Sequence, residues 1–597
     1  MKPRKPSSAR PRGPVPRQSD TSGSSPTLSA AWYLPLLPAL LALVLYTPSI
    51  SYDFVYDDDA VIRNNRFVRA GWDGLADIWT TSYFEGYDAG MKARAYRPFP
   101  LTTLAISHSL VGLDPRFHHL VNILLYGLTA LLLYRLLEAL LGKTRPWAPM
   151  ITCLLFVAHP IHTEVVANIK SRDTLLGFLG FVGAALFLLR AYDRERTAWY
   201  GAAAAALFIG LTSKEEVITA AVLLPLLLYT FRNCGKGEAI RRSAPLLLTV
   251  LAYLGIRSLV LGGLNEGVTL TYLDNSLLAA VNLSERTAST IYVLGYYLWK
   301  TVVPYPLLSD YSWQTLPLLG WGDLRVYAAL AANLFLLGIG VRGLFRRKAY
   351  GYAILHYFVS LTIFSNIFIT NVSVYNDRFL YTPVLGICLL LALWLGRLVR
   401  TDTGIGSWWA RNFLFVAATA LLTVSGVALT SVHLPVWRNG TTLFGHDVKL
   451  APGNARVRKN LGGALAQQAV EWQTSDPQQA RQYAAAAVRQ LDTALQLYPG
   501  IPTGWIHKGN MHILLEEYDA AVTALQQALR DDPDNYFAKA SLGNVQYRLG
   551  AYEAAAEVLE SIPPGSLRAA DHQLLGRIYQ RLDQADKAAV HWQQAGF

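Results

Sequence analysis

Between Ala30 and Thr430 the chain alternates apolar stretches of roughly 17 to 22 residues with short polar and basic runs, and each stretch has the length a helix needs to cross a bilayer. That pattern leaves few folds open. In hydrocarbon every backbone N–H and C=O has to be satisfied within the protein, so segments of this kind must form spanning helices. Of the 597 residues 52% are hydrophobic and only 16% charged, with a mean hydropathy of +0.25, well away from soluble globular proteins. The formal charge of +12 would suit nucleic acid if it were gathered on one surface. Here the Lys and Arg residues fall between apolar stretches, where they orient spans among membrane lipids, which argues against a nucleic-acid partner. Cys153 and Cys388 lie inside apolar stretches and Cys234 in a basic loop, so neither a disulfide framework nor a Cys-based metal site is available.

The basic runs set the expected topology. Residues 1–29, rich in Pro, Ser and Arg, read as a disordered tail on the cytoplasmic side. The stretch Ala30 to Ile50 is too long for a signal-peptide core and lacks a small-residue cleavage motif, so it reads as the first span. Runs around Arg145, Arg194, Arg241, Arg346 and Arg397 then mark returns to the inside. Residues 288–303 break this alternation. They are short, carry Lys300 and run into Pro304 and Pro306, and are expected to be re-entrant or to lie on the outer surface. About eleven spans result, in a polytopic domain over 30–430 with a first outer loop at 51–100.

This topology gathers six polar clusters at the outer ends of spans: the acidic run Asp57, Asp58 and Asp59, then HPIHTE (159–164), KSRD (170–173), SKEE (213–216), SDYSW (309–313) and NDR (376–378). Any one alone could be an interfacial anchor or a helix cap. Ionisable groups at membrane depth are costly unless they pair or line a water-filled cavity, so six on one face favour a shared site. Cations (Arg97, Arg172, Lys214, Arg378) beside carboxylates (Asp57, Asp58, Asp310) suit one chemistry in particular. The cations would hold a lipid-linked phosphate leaving group while a carboxylate takes a proton from an acceptor hydroxyl. Asp57 and Asp58 are expected in a solvated loop. Such hard oxygen ligands would suit a divalent cation such as Mg²⁺ or Mn²⁺, but no His or accompanying ligand pattern calls for one.

Beyond Thr430 a linker at 431–450 leads into a soluble Ala- and Gln-rich segment over 451–597. Pro499, Gly509, Tyr518 and Leu525 recur 34 residues later as Pro533, Gly543, Tyr552 and Leu559. This is the period of tetratricopeptide repeats, with Gly where two helices pack closely and Pro ending the second. Pro452 and Gly462 lie 47 residues before Pro499 and Gly509, so an insertion is expected around 474–483, and a shortened unit carries Gly576. Stacked pairs of this kind offer a concave surface to an extended peptide.

FVYDDDAVIRNN, YRPFPLTTL, FHHLVNILLY, FVAHPIHTEVVANIKSRDTLLG, SKEEVITA, PLLSDYSW, NDRFLYTPVLG and WRNGTTLFGHDVKLAPGNARVRKNLG follow one another from Phe54 to Leu461. In this order, with repeats after them, they resemble the transmembrane and tetratricopeptide-repeat O-mannosyltransferases, C-type (GT-C) glycosyltransferases that use lipid-phosphate sugars. The resemblance implies a mostly α fold, a GT-C membrane domain followed by a helical solenoid. It implies transfer of a sugar, mannose in this family, from a polyprenyl-phosphate donor to protein Ser or Thr hydroxyls, with inversion, the repeats binding an extended acceptor. One of Asp57 and Asp58 would be the base. Arg97, His159, His162, Glu164, Arg172, Asp173, Lys214, Glu215, Asp310 and Arg378 would serve the donor phosphate and sugar.

The chain departs from the family pattern in three places. Asp59 lies outside the recognised aspartate pair, Lys170-Ser171-Arg172 stands where Gly-Arg is expected, and Asn376-Asp377 replaces an Ala-Glu pair. The repeat domain is shorter than in animal members. That points to a bacterial inner (plasma) membrane with site and repeats in the periplasm, or to the endoplasmic reticulum membrane in a eukaryote. Two alternatives stay open: transfer to a lipid or polysaccharide, and a membrane-anchored repeat scaffold without chemistry. On the first reading, ending the chain after His446 should spare slow transfer to short acceptors.

Overall fold

A computed structural model describes residues 32–87, 95–263, 270–400 and 408–596. The basic tail at 1–29 lies outside them. Every regular element among the described residues is helical. Five helices are long and apolar enough to cross a membrane: Pro115–Leu141, Ile169–Arg194, Lys236–Leu261, Leu324–Phe345 and Phe413–Arg438. A sixth span results if Ala148–Ala158 and Pro160–Ala167, bent by 55° at their junction, are taken as one. The eleven expected are thus not all present as long helices. Polar junctions shorten several of them, as at Lys214–Glu216, and Leu36–Ser51, Ala198–Ser213, Ala349–Phe364 and Val384–Leu398 remain as shorter apolar helices. Residues 288–302 lie within one continuous helix, Leu283–Val302, which Val303 caps and which is not among the apolar spans.

The helix Arg172–Arg194 is the centre of the bundle, buried along most of its length. Small residues let its neighbour approach. A Cβ on Gly180 would stand 2.6 Å from the Cα and N of Gly210, so the helix Ala198–Ser213 packs against it backbone to backbone. Because the two run antiparallel, the start of one meets the end of the other. The Lys214 Nζ accordingly reaches the Thr174 Oγ1 at 2.6 Å.

The first loop is not a loose hydrophilic excursion. Val61, Ile62, Val68, Ile78 and Tyr83 form a small core with Leu101, Leu104 and Ile169, closing the loop over the end of the bundle. The stretch at 431–450 is likewise built into the fold. The helix Phe413–His433 passes through a 3₁₀ turn, Leu434–Arg438, into a helix Gly440–Leu450, whose Asp447 is fully buried.

Four helix pairs follow, beginning at Ala455, Pro502, Tyr536 and Ala569. The repeating glycines sit where the helices of a pair touch. A Cβ on Gly462, Gly509 or Gly543 would come within 2.6 to 2.7 Å of the Leu491, Leu525 or Leu559 side chain. The longer spacing of the first unit is absorbed by lengthening both helices to 18 and 21 residues, against 14 and 14 in the second.

Candidate functional site

Asp57 and Asp58 are adjacent in sequence but occupy different environments. Tyr56 adopts a left-handed backbone (φ 60°), which costs a non-glycine residue about 1 to 3 kcal/mol and turns the chain sharply before Asp57. Asp58 then points inward. It is fully buried, and each oxygen accepts one backbone N–H, Oδ2 from Val55 at 2.9 Å and Oδ1 from Lys170 at 2.7 Å. Burial pushes its carboxyl up to about 7, against the pull of those two donors. The expectation that both carboxylates lie in a solvated loop is corrected here, since the small core of the first loop covers Asp58. Asp57 points the other way, its side chain 27% exposed. Its Oδ2 lies 3.4 Å from Arg378 and 3.9 Å from the Lys170 amine, and its Oδ1 makes no hydrogen bond among the described residues.

From Asp57 the charges alternate across six chain segments. Arg378 also holds Glu164 at 3.0 Å, Lys170 also reaches Asp173 at 3.4 Å, and Arg97 joins Asp173 to Glu215 at 2.8 Å each. Burial alone would lower the pKa of the Arg97 and Arg378 guanidinium groups. The carboxylates of Glu215 and Asp173, and of Glu164 and Asp57, outweigh it and raise both above their ordinary value. Local structure explains the convergence. Pro160 ends one helix and bends the next, presenting Glu164, while Asp173 sits in the first turn of the central helix, where the dipole favours a carboxylate. Arg97 directly precedes Pro98 at a helix start, and Glu215 follows the close-packed end of Ala198–Ser213.

Other expected site residues lie elsewhere. Arg172 is fully buried and donates to Asn122 Oδ1 at 2.9 Å and to the His118 carbonyl at 3.0 Å, with no carboxylate in ion-pair range among the described residues. It ties helices together and does not face the cluster. His162 is buried against Phe156, its Nδ1 2.9 Å from the Tyr126 hydroxyl, and the Nε2 of His159 lies 3.1 Å from the Thr301 carbonyl. Lys214 pairs with Glu216 at 3.3 Å behind Arg97 and Asp173. Asp310 stands at the edge of the site, 3.5 Å from the Tyr56 hydroxyl.

Sequence reasoning named Lys170 in its cluster but gave it no role in the site; it binds Asp58 through its backbone and Asp57 and Asp173 through its amine. Its position three residues before Asp173 was the available signal. Asp377 was likewise named without a role in the site. It accepts from the Tyr311 and Tyr375 hydroxyls at 2.8 and 2.7 Å, and burial pushes it up to about 6. Among the described residues no three His, Cys, Asp or Glu side chains are grouped as a metal would require.

The two aspartates should respond differently to the same change. Asp58→Asn turns an NH₂ toward one of two buried N–H donors, leaving it unsatisfied at a cost of about 1 to 3 kcal/mol. A lowered melting temperature is expected for Asp58→Asn and an unchanged one for Asp57→Asn, measured on purified protein in detergent. Equal melting temperatures would contradict the assignment of Asp58 to support.

Comparison with known proteins bears on the same segments. Residues 97–261 match the family described as dolichyl-phosphate-mannose-protein mannosyltransferase, and 512–578 match the tetratricopeptide repeat. The mouse protein O-mannosyl-transferase TMTC4 is 26% identical over 507 residues, covering 76% of this chain and 67% of the relative. The Drosophila melanogaster protein O-mannosyl-transferase Tmtc3 is 28% identical over 547 residues, covering 77% and 57%. A Caenorhabditis elegans protein O-mannosyl-transferase, F38B6.6, is 26% identical over 432 residues, covering 71% and 59%. The chain thus spans 57 to 67% of the length of these relatives. A solved structure, that of MamA, overlays 26% of this chain and 84% of its own at 22% identity with a TM-score of 0.22, too low to carry an argument. The chain is thus distantly similar, at 26 to 28% identity, to the transmembrane and tetratricopeptide-repeat O-mannosyltransferases, with a match to the dolichyl-phosphate-mannose-protein mannosyltransferase family over residues 97–261 ahead of the repeat match at 512–578.

Proposed function

We propose that this chain is an integral-membrane glycosyltransferase that moves mannose from a polyprenyl-phosphate donor to Ser or Thr hydroxyls of proteins. The observation that carries the proposal is the half-open carboxylate of Asp57, loosely held by two cations at the centre of an ion-paired cluster. The free Oδ1 of Asp57 accepts the proton of the acceptor hydroxyl as its oxygen attacks the anomeric carbon. The bond from that carbon to the phosphate oxygen breaks in the same displacement, which inverts the centre, and the lipid phosphate leaves with the bonding pair. Charge moves in step. As Asp57 becomes neutral, Arg378 and Lys170 each lose one of two carboxylate partners and can turn toward the phosphate that gains a charge. Arg97 and Arg378, both partly exposed, are the cations best placed to touch that phosphate, and Asp58 holds Lys170 and the loop in register.

On this reading the site and the repeats share the outer side of the membrane, the periplasm of a bacterium or the lumen of the endoplasmic reticulum. The basic loops on the opposite side support that orientation. The repeats take the extended acceptor. Cysteines introduced at Gln314 and Gln526 should both be labelled by an impermeant reagent from outside, and labelling of Gln526 only from the cytoplasm would overturn the orientation. Transfer itself is tested with purified protein in lipid vesicles, polyprenyl-phosphate mannose and a Thr-containing peptide. Hexose should appear on the peptide, and hydrolysis of the donor without transfer would contradict the reading.

A further inference from the structure

The first repeat helix, Ala455–Trp472, is docked onto the loop that carries Asp310. Asn454 caps this helix through its Oδ1, while its Nδ2 donates to the Ser312 carbonyl and to Thr315 Oγ1 at 2.9 Å each. That docking turns one face of the helix toward the reactive carboxylate. Arg456 pairs with Asp274 and lies 3.9 Å from Asp310, which in turn meets the Tyr56 hydroxyl, one residue before Asp57. Three residues on, on the same face of the helix, the half-buried Lys459 makes no hydrogen bond or ion pair with another described residue. Burial and the neighbouring Arg456 push its amine down to about 8.

Helical spacing sets Lys459 one turn before Gly463, which meets His507 of the second pair. The ring of His507 faces Gly463, where an added Cβ would stand 3.5 Å from Nε2. First helices of successive pairs line the inner surface of such stacks. Lys459 therefore lies between Arg456, beside Asp310, and Gly463, beside His507, on one face of the helix. A half-buried ammonium group beside an arginine favours an anion that can answer both cations.

We propose that Lys459, backed by Arg456, receives an acidic side chain flanking the Ser or Thr that is modified, and so selects among acceptors; this rests on the reading under Proposed function. The donor phosphate is the competing anion. It enters with its lipid through the membrane domain and meets Arg97 and Arg378, whereas a peptide lying along the repeats passes Lys459 before it reaches Asp57.

The test uses the full chain in lipid vesicles with polyprenyl-phosphate mannose and two peptides, a single Thr flanked by Glu or by Gln. Wild type should favour the Glu peptide by about three- to tenfold in kcat/KM, the scale of one charge pair. Lys459→Gln should erase the preference by raising KM for the Glu peptide alone, and Lys459→Glu should favour a Lys-flanked peptide. Equal use of both peptides by wild type would overturn the proposal. So would a rise in the donor KM of Lys459→Gln regardless of peptide, which would give Lys459 to the phosphate. Transfer to neither peptide would defeat the functional reading itself, and this inference with it.

Discussion

Asp57→Asn should reduce mannosyl transfer by about 10²- to 10⁴-fold, the usual loss when a general base is removed, while insertion and melting temperature stay as in wild type. The variant keeps the shape and part of the exposure of the side chain and removes only its capacity to take a proton. Arg378 and Lys170 each retain a second carboxylate, Glu164 and Asp173, so neither is left as an isolated buried charge. The loss should fall on kcat, with KM for both substrates little changed, because the proton moves only in the transition state. Full turnover by a folded Asp57→Asn protein would remove the base from the mechanism.

Shortening the chain should separate chemistry from acceptor choice, at a boundary the fold moves away from His446. An end after His446 deletes Asp447, which accepts from the Ser309 N–H at 2.8 Å and its hydroxyl at 2.6 Å, and Asn454, which anchors Ser312 and Thr315. Each buried donor left unpaired costs about 1 to 3 kcal/mol, so the loop carrying Asp310 should loosen. That protein is expected to melt early and to transfer to no acceptor. An end after Asp532 keeps the first two helix pairs and the cluster of Ala455, Leu495 and Ile501 with Trp313 and Tyr498. It should use short peptides at nearly the wild-type kcat and lose the natural acceptor through a raised KM, since what is missing is binding remote from the reacting carbon. If the Asp532 protein is well folded yet equally inactive on both acceptors, the repeats brace the site and do not select.

Composition and repeat spacing made two parts of the fold legible: an all-helical membrane domain and the tetratricopeptide repeats, down to the glycines that meet leucines. Span count was less legible. Run length in sequence does not reveal where Pro160 or the Lys214–Glu216 junction interrupts a helix. The acidic run at 57–59 pointed to the candidate site, but the different surroundings of Asp57 and Asp58 depend on Tyr56 and on Lys170, distant in sequence. Arg172 and His162 looked like ligands because their motifs are polar. Inside the bundle Arg172 donates to the Asn122 side chain and a carbonyl, and His162 Nδ1 meets the Tyr126 hydroxyl, the kind of partners buried polar groups take. The joint between the last span and the repeats looked like a linker because Asp447 and Asn454 are ordinary polar letters until Ser309 and Asp310 are brought beside them.

The central claim, that the acceptor is a protein, is tested most directly by mass spectrometry of envelope proteins and glycolipids from cells producing either the intact chain or Asp57→Asn. Hexose on Ser and Thr of extracytoplasmic proteins should be present with the intact chain and absent with the variant, while glycolipids are the same in both. Unchanged protein glycosylation together with a lost glycolipid or polysaccharide would contradict it.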